Sequence, residues 1–104
     1  METPEKVNAP DLAAVVPYDA AKFKNALILH NGSAKATVFA LKAGQDVPPH
    51  NTPADALLTV LEGSGMVTIA AIKHVLQRGG YVVMPKGSEH HIQATTDMKF
   101  LLVK

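Results

Sequence analysis

The chain has 104 residues, 47% of them hydrophobic and 18% charged, with ten basic side chains against nine acidic ones and no cysteine. A chain of this length forms one domain around one modest core, and the composition is that of a globular protein. Disulfides, thiolate-held metals and thiol nucleophiles are excluded, and a flat charge balance with Arg78 as the sole arginine provides no basic face for nucleic acid.

No apolar run reaches the roughly 18 residues of a membrane helix, and no polybasic patch suits a membrane surface. The stretch from Met1 to Lys6 lacks the basic-then-apolar layout of a secretion signal, so a cytoplasmic location is expected. Residues 1–25 read as an irregular arm, with room for a short helix or an edge strand near Asp19 to Lys24. From Ala26 the chain reads as strands. Ala26 to His30 ends at Asn31-Gly32, a tight-turn signal, and Ala34 to Leu41 resumes beyond it. Val47-Pro48-Pro49-His50 carries two prolines and belongs at a sheet edge.

Leu57 to Leu61 closes on Glu62-Gly63-Ser64-Gly65, and Met66 to Ile72 and His74 to Gln77 follow. Gly79-Gly80 turns the chain into Tyr81 to Met84, which stops at Pro85-Lys86-Gly87. His90 to Thr95 and Phe100 to Val103 complete the run. Short strands separated by frequent turns predict a β-sandwich or small barrel.

The punctuation carries a resemblance. Five residues separate Gly44 from His50, and Gly63 lies thirteen beyond His50. Five more separate Gly79 from Pro85, with Gly87 two residues later and His90 three after that. This order resembles the two motifs of the cupin family, G-x5-H-x-H-x3or4-E-x6-G and G-x5-P-x-G-x2-H-x3-N. The likeness implies an all-β, single-domain jelly-roll barrel (a double-stranded β-helix) over residues 26–104, with a pocket inside. It also implies a homodimer.

In that family the two His and the Glu of the first motif and the His of the second hold a metal. Carried over, His50 and His90 remain. Thr52 stands at the second His, Ala56 or Leu57 at the Glu, and Ala94 at the final Asn. Two of four ligands are left, where a catalytic divalent ion takes about three from the protein. Asp55 neighbours the lost Glu, but in a regular strand a one-residue offset turns it to the other face. His91, beside His90, should face outward for the same reason.

The first functional expectation is a small organic ligand held in the barrel by His50, Thr52 and His90, with Tyr81 as a further candidate contact. The second is an enzyme built on His50 and His90. It would be either a metal-dependent one of dioxygenase or isomerase type, with Fe, Zn, Mn or Ni and Asp55 as an added ligand, or an acid–base catalyst. The third is a stand-alone sensory or accessory module acting through a protein partner.

Overall fold

The computed structural model describes residues 10–104. The first nine residues of the expected arm lie outside the described residues. Leu12–Ala14 forms one 3-10 turn, begun by Asp11, whose carboxylate accepts the Ala13 N–H at 3.0 Å. Nine strands follow: β1 (Lys24–Asn31), β2 (Ala34–Leu41), β3 (Asp46–Asn51), β4 (Ala56–Glu62), β5 (Ser64–Ile69), β6 (Ile72–Gln77), β7 (Tyr81–Met84), β8 (Glu89–Ala94) and β9 (Met98–Val103). They form a five-stranded sheet in the order β1-β2-β9-β4-β7 and a four-stranded sheet in the order β3-β8-β5-β6. Every pairing is antiparallel. Apart from the β1–β2 and β5–β6 hairpins, sequence neighbours fall in opposite sheets, which makes the expected jelly roll.

Alternation along the strands builds the core between the sheets. Ala56, Leu58 and Val60 of β4 point inward, as do Met98, Phe100 and Leu102 of β9, Met84 of β7, and Val67 and Ile69 of β5. Phe39 stacks on Phe100 with ring centroids 4.9 Å apart, which ties β2 to β9. Each large side chain fully buried here contributes about 1.5–3 kcal/mol.

On the outer face of the larger sheet, Leu12, Val15 and Tyr18 cover Val16, Val38 and Ala40. Lys99 pins this cover. Its buried ammonium donates to the Ala13 carbonyl and lies 4.8 Å from the Tyr18 ring centroid. The Tyr18 hydroxyl in turn donates to Glu62 at 2.6 Å.

The β5–β6 hairpin differs from expectation. The run from Met66 to Ile72 is broken by a two-residue turn at Ala70-Ala71, the hairpin position after Ile69 where glycines are usual and a longer turn is an option, with Ile69 paired to Ile72. Both alanines are left-handed, with φ of 48° and 70°. Asn-Gly is the usual pair for such a turn because it tolerates positive φ, so two alanines are an unusual choice here. The Ala70 N–H donates to the Glu89 carbonyl at 2.9 Å and holds the turn against β8. The double substitution A70N/A71G is expected to stabilise the fold by about 1 kcal/mol, because left-handed backbone costs about that much per non-glycine residue and glycine's unfolded-state entropy offsets part of the gain. A urea titration checks it, and an unchanged midpoint would remove the strain argument.

Candidate functional site

Two strands of the smaller sheet bring the two motif histidines together. Val47 pairs with Ile92, and His50 pairs with His90, so two residues, Pro48 and Pro49, oppose the single residue His91. Val47 and His50 are three apart and would face opposite ways in a regular strand. The bulge absorbs one residue and sets both on the inner face. His90 follows the ordinary alternation of β8, with His90, Ile92 and Ala94 all buried. His91 turns outward and bonds Asp46 at 2.7 Å.

The His50 and His90 Nε2 atoms lie 2.9 Å apart, with the rings edge to face and their centroids 4.1 Å apart. His50 is exposed at the mouth, whereas His90 is 2% exposed. Donor and acceptor roles follow from the neighbours. His50 Nδ1 lies 3.0 Å from the Pro48 carbonyl, which can only accept, so His50 carries its proton on Nδ1. Its Nε2 is then an acceptor in the neutral ring, and His90 must donate from Nε2. His90 Nδ1 is then buried without a well-formed hydrogen bond, with the Ser88 backbone as its polar neighbour.

Burial holds the His90 pKa below the usual histidine value, and the nearby His50 and Lys104 act in the same direction. The Ser88 backbone opposes them by favouring the charged ring. His90 is therefore poor at holding a proton in the free protein, and its buried Nδ1 lacks a well-formed hydrogen bond.

Thr52 lies two residues beyond His50 and is buried, its hydroxyl 3.5 Å from the Ala54 N–H. Asp55 does not join the histidines as a ligand. Its carboxylate accepts the Lys86 N–H at 2.8 Å and fastens the Pro85-Lys86-Gly87 turn, which is also held by the Gly87 N–H on the Thr52 carbonyl at 2.9 Å. An exposed turn with an unpaired amide attracts a short carboxylate more readily than a cavity does. Among the described residues no group of three His, Cys, Asp or Glu side chains could hold a metal ion.

Tyr81 is not a pocket residue either. Met84 and Val82 face the core, so Tyr81 and Val83 alternate to the outside, and Tyr81 is 64% exposed. The sequence reading missed a cleft of about 190 Å³ lined by Asn25, Leu27, Lys35, Thr37, Phe39, Leu102 and Lys104. These residues come from β1, β2, β9 and the residues flanking them, and no local motif marks them. Only strand alternation, read together with the pairing of distant strands, could have shown that they share a face.

A family model described as a cupin domain matches residues 37–104. The chain belongs to the cupin family. No curated protein matches it. Among solved structures, this cupin is similar to a conserved protein of unknown function from Streptococcus pyogenes, with TM-score 0.86 and 28% identity over 99% of this chain and 88% of that one. It is also similar to an RmlC-like cupin protein from Desulfovibrio desulfuricans, with TM-score 0.82 and 29% identity over 93% and 94% of the two chains. A cupin 2 conserved barrel domain protein from Leptotrichia buccalis matches with TM-score 0.83 and 30% identity, over 88% of this chain and 45% of that one. No helix among the described residues is long and apolar enough to cross a membrane.

Proposed function

We propose that this cupin binds a small organic ligand in its barrel around His50, Thr52 and His90. The observation that carries the reading is the imidazole pair: two Nε2 atoms 2.9 Å apart, one ring buried with an unpartnered nitrogen. An unsatisfied buried polar atom costs about 1–3 kcal/mol. A protein that retains one beside a second titratable ring holds a proton acceptor ready for a guest. A ligand carrying an acidic proton or a carboxylate meets that need, since it favours the charged pair and forms a charge-assisted hydrogen bond to it.

The pH dependence follows from linkage. His90 is neutral above its lowered titration range, and an anionic ligand beside it raises that range, so binding takes up a proton. Affinity is expected to rise as pH falls, approaching tenfold per pH unit above the titration of His90 in the free protein. Thermal-shift screening of small carboxylates, enols and sugars finds the ligand class, and calorimetry in two buffers counts the protons. Ligands that bind His50→Gln as well as the native chain would overturn the reading.

The donor set does not fit a resident catalytic ion. Two imidazoles are present, the Thr52 hydroxyl is neutral, and Asp55 is engaged with the Lys86 backbone. The metal content of untagged protein purified without chelator is expected to stay well below one equivalent per chain. One equivalent of Fe, Zn, Mn or Ni would replace the organic-ligand reading with a metal-dependent one.

Self-association as a homodimer is the second part of the proposal. Three of the four sheet edges are blunted, β3 by two prolines, β1 by a bulge and β7 by its length of four residues. Beyond the cover of Leu12, Val15 and Tyr18, the outer face of the larger sheet keeps an open apolar row instead. Leu29, Ala36, Val103, Leu57 and Val83 are successive cross-strand partners across all five strands, and four of them are exposed apolar residues. A two-fold axis through such a row pairs it with itself. The unfolding midpoint should then rise with protein concentration, and a constant midpoint would argue for a monomer.

A further inference from the structure

We propose that the cleft between β1, β2 and β9 is an anion-binding site, and that the ligand it takes is a small organic carboxylate whose apolar body is about the size of one ring. The inference rests on the reading above only for the part played by the histidines. The lining of the cleft supplies the rest.

Lys35 and Lys104 stand at one end of the lining. They continue the register of β2 and β9 by one residue. The Lys35 N–H donates to the Lys104 carbonyl at 2.8 Å, and the Lys104 N–H returns a bond to the Lys35 carbonyl at 2.9 Å. Residues paired in this way project their side chains from the same face, with Cβ atoms about 5 Å apart. Two like charges directly opposite one another are unfavourable, and neither lysine has a salt-bridge partner among the described residues. No acidic side chain lines the cleft. An anion between the two ammonium groups would turn the repulsion into attraction.

The remaining lining sets the shape of the guest. Phe39, Leu102 and Leu27 supply apolar wall, and Thr37 and Asn25 supply neutral polar groups. The volume of about 190 Å³ exceeds the roughly 150 Å³ that holds one benzene ring. A bare inorganic anion would leave the apolar wall unused, and an uncharged hydrocarbon would leave the lysines unpaired. The Lys104 charge also acts on His90, so an anion in the cleft favours a proton on that ring. Lys35 and Lys104 are thus specificity-determining residues of the cleft.

Benzoate and its uncharged analogue benzamide test the inference on the full chain by calorimetry and amide NMR. Benzoate is expected to bind at least tenfold more tightly than benzamide and to shift the amides of Lys35, Thr37 and Phe39. K35Q/K104Q should weaken benzoate at least tenfold while the free protein's melting temperature stays level or rises, since the two charges repel. That opposite response separates a binding role from a structural one. Equal affinity for the two probes, no benzoate binding, or unchanged binding in K35Q/K104Q would each overturn the proposal. Loss in His50→Gln with none in the lysine variant would leave the histidine reading standing and remove the cleft. The reverse pattern would leave the cleft standing and remove the histidines.

Discussion

Gly63→Ala is expected to cost about 3–4 kcal/mol or to prevent folding, the largest effect of any single-methyl change in this chain. Gly63 joins β4 to β5 at a φ of +76°. A Cβ there would lie 1.9 Å from the Asp97 carbonyl oxygen and 2.9 Å from its carbon. The obstacle is backbone, and that backbone is fastened from several sides. The Ser64 N–H donates to Thr96 Oγ1 at 3.0 Å, and the Thr95 N–H donates to the Ser64 carbonyl at 3.0 Å. The Asp97 carboxylate accepts the Ala43 N–H at 3.0 Å, which, with Lys42 nearby, holds its pKa below the usual range.

A natural control isolates the steric part. Gly44 has a similar φ of +87°, and a Cβ there meets nothing within 4 Å. Gly44→Ala should cost only the left-handed penalty, about 1 kcal/mol. The difference between the two variants in urea titrations is then the close approach of β4–β5 to the Asp97 turn. Equal losses at both positions would sink this account. Net stabilities are about 5–15 kcal/mol, so the Gly63 loss removes a large part of the total.

His90→Leu is expected to raise stability while abolishing ligand binding. The native ring is 2% exposed and leaves Nδ1 unpartnered, and its one hydrogen bond goes to an exposed His50 that water can serve. Removing an unsatisfied buried nitrogen gains about 1–3 kcal/mol, and losing the bond costs about 1, so the net gain is about 1 kcal/mol. The pH profile gives a second readout. The His90 pKa is lowered on folding, so the unfolded chain binds more protons near pH 6 than the native one. Native stability is complete above the unfolded value of about 6.5 and is lost as pH falls toward the lowered folded value. The leucine variant should lose this sensitivity. Urea midpoints at pH 5.5 and 7.5 check both claims, and a destabilised variant with an unchanged profile would show His90 to be structural. A stabilising substitution that destroys binding marks a residue held for function.

Much of this architecture was legible in the chain itself. Strand lengths, the glycine and proline punctuation and the alternation of apolar residues are local properties, set by backbone sterics and by which face each side chain must bury. They specify an all-β barrel, and the spacing around Gly44, His50, Gly79, Pro85 and His90 names the family. What the sequence left open was decided by contacts between distant strands. The bulge at Pro48 and Pro49 turns His50 inward because β3 must keep register with β8. Asp55 leaves the pocket side because the amide of Lys86, brought over from another loop, captures its carboxylate. Tyr81 ends outside because Met84 fills the core and alternation counts back from it. Lys35 and Lys104 become neighbours only when β2 pairs with β9. Hydrogen-bond register between strands far apart in sequence follows from the packing of the whole sheet, which no local pattern encodes.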